Sequence, residues 1–236
     1  MINLEKSQPA PVSLAAEKSR ASGTYRTAEV IERLHADFYG KCYICESASL
    51  TSVNVEHFVP HREDRDRKFD WDNLFLACGH CNNTKQARSE FDSILKCTDW
   101  NDAILASIRF DFEPWPKEQP KFVALIDDER VRNTAKLLND VFNGNTPIKE
   151  IESNALRSLL LKEIMEFRAL LHAFFERDTP APERARLRER IEQHLAPSSA
   201  FCAFKIWAIR RRDALEREFG AAYACHQPPV PVNGER

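Results

Sequence analysis

Apolar residues recur at helical spacing in four stretches of the chain. The first stretch, RTAEVIERLHADFYG, ends at Gly40, a residue that suits the turn after a helix. The other three stretches lie beyond residue 150, and each predicts a helix with one apolar face that belongs to the core. The apolar positions are Val30, Ile31, Leu34 and Phe38; Leu156, Leu160, Ile164, Phe167, Leu171 and Phe174; Leu187, Ile191 and Leu195; and Phe201, Phe204, Trp207 and Phe219.

Between these helices lies a segment with a different pattern. LTSVNVEHFV is rich in β-branched and apolar residues and ends at Pro60, which predicts a strand. The charged run REDRDRKF follows and predicts a solvated loop. WDNLFLACGHCNNTKQARSEF then predicts a short apolar stretch and a helix that begins near Asn82 or Asn83. This segment is therefore expected to run strand, loop, apolar stretch, helix.

Proline and composition suggest where the chain divides. Three prolines within DFEPWPKEQPK indicate a linker, and the Ala-, Ser- and Pro-rich start of the chain indicates a flexible arm. We therefore expect an α+β protein with a flanking N-terminal helix and a C-terminal all-α region. The predicted parts are a flexible N-terminal arm at 1–23, a mixed domain at 24–112, a Pro-rich linker at 113–120, a helical docking or regulatory domain at 121–225 and a flexible tail at 226–236.

Composition and charge narrow the functional classes. The 236 residues are 43% hydrophobic and 30% charged, as in ordinary globular proteins. No apolar run approaches the roughly 20 residues that span a bilayer, and the start of the chain lacks the pattern of a secretion signal. We therefore expect a cytoplasmic protein without membrane contact. The net charge of −2 argues against capture of nucleic acid by a broad basic surface, so any phosphate contact must be local, helped by a metal ion or supplied by a partner.

Four of the seven cysteines form two C-x-x-C pairs, in KCYIC and ACGHC, with 32 residues between them. Each pair can supply two thiolates from one tight turn, which suits a tetrahedral zinc site. The alternative is two unrelated pairs of buried or redox-active cysteines. Cys97, Cys202 and Cys225 have no spaced partner and are interpreted as core or surface thiols. His80 lies inside the second pair and is expected to be exposed rather than a ligand.

Glu56 and His57 are adjacent on the predicted strand, so their side chains point to opposite faces. Glu56 and Asn82 could offer oxygen ligands to one ion, and oxygen ligands favour Mg²⁺ or Mn²⁺ over a second zinc. His57 would then be free to act as a general base that activates water. The alternative is an exposed Glu56 beside a His57 that is satisfied in the core.

The order of these motifs closely resembles the HNH endonuclease family, whose core is a ββα-metal fold. The resemblance runs from Lys41 to Arg88 and depends on C-x-x-C, then E-H-x-x-P, then W-D-N-L-x-L-x-C-x-x-C-N-x-x-K. It implies a small zinc-clamped core with structural Zn²⁺ and catalytic Mg²⁺ or Mn²⁺. It also implies a nucleic-acid substrate, DNA in the first place, with structured RNA such as tRNA as the alternative.

The resemblance implies a role for each matching residue. Glu56 and Asn82 stand where the family has metal ligands, commonly Asp and His, and both replacements keep an oxygen donor. His57 matches the general base, and Asn73 matches the central Asn that steadies the loop and helps to orient that base. Lys85 matches a frequent lysine that can meet the substrate phosphate. The residues that match the zinc knuckles of a subset of members are Cys42, Cys45, Cys78 and Cys81.

A narrower resemblance extends over most of the chain. The start of the chain, KCYICE, FDWDNLFLACGHCNNTK and LLNDVFNGNT resemble the HNH subunit of Septu-type antiphage systems, called PtuB. This implies a bound ABC-type ATPase subunit (PtuA-like) and, in retron-associated systems, a reverse transcriptase with its RNA and DNA. Two other hypotheses stay open: a zinc-stabilised adaptor with a vestigial site, and a free-standing restriction-type nuclease. His61 has no counterpart in the family pattern, and a supporting role at the ion or a substrate contact stays open for it.

Overall fold

The computed structural model describes residues 1–50, 52–86, 88–115, 119–144 and 146–226. The predictions for Pro116 in the linker, for the thiol of Cys225 and for the tail from residue 227 onwards lie outside what is described. Within these ranges the protein is a mixed α+β fold with two small sheets and a helical C-terminal region, as the sequence predicts.

Two antiparallel strands and a helix carry the predicted site. β1 (Val53–His57) pairs with β2 (Leu74–Cys78), so that His57 lies opposite Leu74. A short helix, α3 (Arg65–Lys68), interrupts the charged loop between the strands, and Asp64 caps it by accepting hydrogen bonds from the Asp66 and Arg67 amides. α4 (Gly79–Gln86) follows β2 without a loop. The helix thus begins earlier than predicted, because the second cysteine pair itself turns into it.

The N-terminal segment is packed, which differs from the flexible arm predicted for residues 1–23. Met1, Ile2 and Leu4 are buried in the core, and the Leu4 amide donates to the Cys97 carbonyl at 2.8 Å. Met1, Ile2 and Leu4 have large apolar side chains, and removing these side chains from water stabilises the packed position of the segment. The Ala-, Ser- and Pro-rich stretch that follows has less apolar surface to bury. Two helices follow, α1 (Val12–Ser19) and α2 (Ala28–Asp37).

A second sheet joins the chain before and after the Pro-rich segment. α5 (Ile104–Ser107) leads into β3 (Ile108–Asp111), which pairs antiparallel with β4 (Lys121–Ala124). The prediction of an all-α region from residue 121 is therefore wrong for β4. Phe122 of β4 lies against three other aromatic rings, with centroid distances of 5.3–5.7 Å, and this packing stabilises the strand. The partners are Phe110, Phe142 and Phe204.

Five further α-helices follow, and a 3-10 helix (Gly220–His226) ends the described chain. The α-helices are α6 (Glu129–Asn143), α7 (Pro147–Phe175), α8 (Ala181–Leu195), α9 (Cys202–Arg210) and α10 (Asp213–Phe219). The predicted apolar faces of α7 and α8 are buried. The fourth apolar stretch divides into α9 and α10 at Arg211 and Arg212 instead of forming one helix. Buried apolar side chains form one cluster that runs from Met1 to Tyr223.

Two polar contacts tie the helical region to the cysteine pairs. Glu46, next to the first pair, accepts from the Ala203 amide at 2.9 Å and lies 3.0 Å from the Met1 amino group. His80, inside the second pair, contacts Glu152 of α7 through Nδ1 at 2.8 Å and the Val141 carbonyl of α6 through Nε2 at 2.7 Å. His80 is thus no free surface side chain, and its contacts direct it away from the cysteine sulfurs.

Candidate active site

The four cysteines of the two C-x-x-C pairs converge on one point. Their sulfur atoms all lie within 4.8 Å of one another, a separation that suits four ligands around one ion. Cys42, Cys45 and Cys81 are buried and Cys78 is half-buried. The first pair lies in the turn after Gly40, and the second lies at the junction of β2 and α4. The donor set and its closeness fit a structural Zn²⁺ ion.

The protonation of these thiols also fits a metal centre. Hydrogen bonds from the other three sulfurs hold the pKa of Cys78 far below its usual range. Hydrogen bonds within the cluster raise the pKa of Cys45, and burial together with the neighbouring sulfurs raises the pKa of Cys81. The cluster therefore already favours one thiolate, the form that binds metal. Cys97 and Cys202 lie outside it, and burial raises the pKa of each to about 12, which keeps them inert.

His57 lies at the end of β1 with its ring fixed on both sides. Its Nε2 is 3.0 Å from the Lys68 carbonyl oxygen, so Nε2 carries the hydrogen and Nδ1 keeps its lone pair. The ring contacts Tyr25 at 4.5 Å and His61 at 4.7 Å between centroids. Burial lowers the pKa of His57, which favours the neutral ring. His57 is therefore half-buried and oriented, with a nitrogen that can accept a proton.

Asn73 holds the loop that supports His57. Its Oδ1 accepts from the Val59 amide at 2.8 Å, and its Nδ2 donates to the Val59 carbonyl at 2.9 Å and the Arg67 carbonyl at 3.3 Å. The Phe58 amide donates to the Asn73 carbonyl at 2.8 Å. These bonds fix both ends of the loop that presents the Lys68 carbonyl to His57. Asn73 therefore supports the site through its contacts with this loop and is not among the described residues that line the cavity.

Glu56 is buried and forms an ion pair with Lys85. The Lys85 Nζ lies 2.8 Å from Glu56 Oε1, and Lys85 also donates to the Phe58 carbonyl at 2.7 Å. Burial raises the pKa of Glu56 to about 7, while Lys85 acts in the opposite direction. Only 3% of Lys85 is exposed. Its ammonium group therefore faces Glu56 and two backbone carbonyls, whereas the sequence predicts that it faces a substrate phosphate.

A cavity of about 490 Å³ brings five of the predicted site residues together. Glu56 Oε2 has no hydrogen-bond partner among the described residues, and the Asn82 side chain lines the same cavity. The Asn82 amide oxygen also accepts from Gln86 Nε2 at 3.1 Å, and a carboxylate with an amide oxygen is a donor set that suits a hard cation such as Mg²⁺ or Mn²⁺. The predicted residues that line the cavity are Glu56, His57, His61, Asn82 and Lys85.

Sequence analysis missed several residues on the rim of this cavity. Tyr25 and Arg26 lie in the loop before α2. Arg62 lies in the connection between β1 and α3, and Arg88 lies just after α4. Arg62 pairs with Asp92 at 2.8 Å, and Arg88 pairs with Asp140. Arg26 has no ion-pair partner among the residues that the structure describes. No local motif marks Tyr25 and Arg26, because only the folded chain brings them to His57.

A second cavity, of about 560 Å³, lies in the helical region. Its wall is mostly aromatic and aliphatic, and two of its three arginines, Arg168 and Arg211, are paired with Glu113. We place the candidate active site in the smaller cavity, because only that one combines an oriented imidazole with an unpaired buried carboxylate oxygen. Apolar residues that line the larger cavity include Phe110, Phe112, Ile164, Leu171 and Phe204.

Comparison with known proteins supports this choice. Residues 42–88 match the HNH endonuclease family, a span of 47 residues that contains the four cysteines, both strands and α4. An HNH endonuclease domain therefore lies at this position, with a cysteine cluster that could bind zinc. No curated protein matches the chain. Within the described ranges, no helix is both long and apolar enough to cross a membrane.

Proposed function

We propose that this protein is a metal-dependent HNH endonuclease that hydrolyses phosphodiester bonds of nucleic acid. The observation that supports this best is a single cavity lined both by His57, whose Nδ1 keeps its lone pair, and by Glu56, whose Oε2 has no hydrogen-bond partner among the described residues. A base and a cation-binding carboxylate in one cavity suit the hydrolysis of a phosphodiester.

In this proposal Glu56 and Asn82 hold the catalytic Mg²⁺ or Mn²⁺. When bound, such an ion neutralises negative charge on the phosphate and on the departing 3′ oxygen. Glu56 would offer Oε2 to this ion, because its other oxygen, Oε1, contacts the Lys85 ammonium at 2.8 Å and the Tyr43 hydroxyl at 3.4 Å. Lys85 would thus fix the ligand, and Arg26 would replace it as the contact to substrate phosphate.

His57 would act as the general base. Its Nδ1 takes a proton from the attacking water as the new phosphorus–oxygen bond forms, and the bond to the 3′ oxygen breaks. The products are a 5′-phosphate and a 3′-hydroxyl. The Lys68 carbonyl keeps the other ring nitrogen protonated, and Asn73 keeps the loop that carries this carbonyl in place.

The test is cleavage by the His57→Ala protein. We expect a loss of at least about 10²-fold in the rate of cleavage with Mg²⁺ or Mn²⁺, because general bases contribute about 10²–10⁴-fold. Zinc content and the circular dichroism spectrum should stay unchanged. The matched control is His172→Ala, whose side chain is 78% exposed on α7. Wild-type activity in the His57→Ala protein would remove this residue from the mechanism.

We further propose that the nuclease is the effector subunit of a Septu-type antiphage complex with an ABC-type ATPase. The sequence phrases that resemble PtuB support this, as does an apolar patch of Ile148 and Ile151 on α7, which are 73% and 72% exposed. A cytoplasmic setting is part of this proposal, because the four thiols must stay reduced to bind zinc.

Co-purification tests this assignment. The ATPase encoded beside the gene should co-purify with the wild-type chain and should be lost from the Ile148→Glu/Ile151→Glu double variant. A methyltransferase in the neighbouring gene would favour a free-standing restriction-type nuclease instead. Cleavage of DNA and RNA pools by the purified complex, beside His57→Ala, would identify the substrate. A complex without any cleavage would favour a zinc-stabilised adaptor.

A further inference from the structure

Two imidazole rings share the candidate cavity and differ in the nitrogen that is free. The Glu63 amide donates to His61 Nδ1 at 3.1 Å, so this nitrogen carries no hydrogen and the neutral ring is protonated at Nε2. His57 is the same tautomer, but its Nε2–H is already bound to the Lys68 carbonyl, so its free nitrogen is the lone pair of Nδ1. The rings meet edge to face, with centroids 4.7 Å apart. One ring thus offers an acceptor and its neighbour offers a donor.

The backbone around His61 is unusual in a way that fixes this ring. Arg62 and Glu63 are consecutive non-glycine residues with φ of +44° and +67°, in the left-handed region that side chains disfavour. This turn aims the Glu63 amide at His61 Nδ1, and the Asp64 amide closes it on the His61 carbonyl at 2.8 Å. The ion pair between Arg62 and Asp92 anchors its outer side. Strained turns that hold one side chain at a cavity are characteristic of functional sites.

We infer that His61 is a second catalytic residue, whose Nε2–H donates a hydrogen bond to a non-bridging oxygen of the substrate phosphate. This inference rests on the proposed nuclease function. As a hydrogen-bond donor, His61 stabilises charge on the phosphate without a proton transfer of its own. His57 takes the proton of the attacking water, and solvent water protonates the 3′ oxygen once its bond to phosphorus breaks.

The ligand of His61 is a phosphodiester oxygen, which DNA and RNA have in common. His61 should therefore affect the cleavage rate on either nucleic acid by a similar factor. It should have little effect on binding of the intact substrate, because negative charge on the phosphate oxygens grows mainly in the transition state.

The experiment compares His61→Phe, which keeps a ring without a donor, with His61→Gln, which keeps an N–H donor of similar reach. Single-turnover cleavage is measured with Mg²⁺ or Mn²⁺ on the oligonucleotide that the wild-type protein cleaves. We expect His61→Phe to be about 10²–10³-fold slower, as for loss of one oxyanion donor, and His61→Gln to recover at least about tenfold of that loss. His172→Phe, on the exposed face of α7, is the matched control.

Binding separates this role from a structural one. Anisotropy of the labelled oligonucleotide, measured in the His57→Ala background, should change less than about threefold when His61→Phe is added. Wild-type rates in His61→Phe, or a His61→Gln protein as slow as His61→Phe, would overturn the inference and leave the nuclease assignment intact. Equal cleavage by wild-type and His57→Ala proteins, or no cleavage by either, would instead defeat the proposed function, and the role of His61 with it.

Discussion

Single backbone contacts decide what the side chains of the site can do. The Lys68 carbonyl selects the tautomer of His57, and the Glu63 amide selects the tautomer of His61. Asn73 supports the first of these contacts through the loop that carries Lys68. The chemistry of two imidazoles thus depends on the position of a few peptide groups, and a change in the loop should alter activity without any change in a residue that touches substrate.

Asn73→Ala tests this dependence. The change leaves the Val59 amide and two carbonyls without partners, so we expect the free energy of unfolding to fall by about 2 kcal/mol. Cleavage should slow at least about tenfold under conditions where the variant is fully folded, because His57 loses its fixed orientation. Urea unfolding and single-turnover cleavage measure the two effects.

The matched control is Asn101→Ala, since Asn101 is exposed and its side chain bonds only to nearby Asp99 among the described residues. An Asn73→Ala protein with wild-type activity would show that the loop needs no side-chain support.

The sequence predicts residues of this site well where their spacing is local. Glu56 and His57 are neighbours, and Asn82 follows a cysteine pair, so all three could be placed at one cavity. The direction of Lys85 could not be predicted, because its burial depends on how α4 packs against β1. Arg26 could not be predicted for a similar reason, since 29 residues of chain lie between it and Glu56.

At the scale of elements, the cysteine cluster joins pieces of chain that are too short to be stable alone. A two-stranded sheet and an eight-residue helix bury little surface, and four ligands around one ion would hold the turn before β1 against the turn after β2. Cysteine spacing predicts this clamp. The second sheet was not predicted from the sequence. Its strands β3 and β4 have only four residues each, and their patterns of apolar and polar residues resemble those of neighbouring loops.

Cys78→Ser should lose zinc and stability together, because metal binding and folding are coupled in such sites. We expect the zinc content of the purified protein to fall from about one equivalent to near zero and the soluble yield to fall with it. Elemental analysis measures the metal. Cys97→Ser is the matched control, since Cys97 is buried outside the cluster, and it should keep its zinc. A soluble, active Cys78→Ser protein without zinc would contradict the clamp.

The helical region contains its own pH-sensitive contact at His194. Its Nδ1 lies 3.0 Å from the buried Lys205 ammonium, which also binds Glu163 at 2.7 Å. Burial and then Lys205 lower the pKa of His194, Glu163 and Glu166 oppose this, and Arg190 adds to it. The unfolded chain therefore takes up a proton near pH 6.5 that the folded chain refuses, so the free energy of unfolding falls as the pH falls through this value.

His194→Gln removes this titration and keeps an oxygen that can accept from Lys205. Between about pH 7.5 and about pH 5.5 the wild-type protein should lose more stability than the variant. The urea midpoint at each pH measures the difference. His172→Gln, at an exposed position on α7, should follow the wild-type curve. Parallel curves for wild type and His194→Gln would show that His194 has no part in the acid sensitivity.

At the scale of the whole molecule, a chain of net charge −2 has a site that presents cations locally. Arg26, Arg62 and Arg88 line the candidate cavity, and among the described residues Arg26 alone of the three lacks an acidic partner. The net charge of the chain therefore does not predict the local charge of this cavity.

Arg26→Ala should weaken binding of nucleic acid and reduce its salt dependence. Loss of one phosphate contact should lower the slope of log K against log salt concentration by about one. Anisotropy titrations in the His57→Ala background at several salt concentrations measure the slope. Arg186→Ala, an exposed site on α8, should leave it unchanged. An unaltered slope in the Arg26→Ala protein would exclude a phosphate contact at this residue.

The two contacts of His80 connect parts of the chain that are distant in sequence. One helix, α4, holds His80, Cys81 and Asn82 in succession, which are an anchor to α6 and α7, a member of the cysteine cluster and a proposed ligand of the catalytic ion. A force that shifts the long helix α7 by a fraction of an ångström would pull on Glu152 and, through His80, on the position of Asn82. The proposed nuclease centre is thus connected, through the two contacts of one histidine, to helices outside the HNH domain.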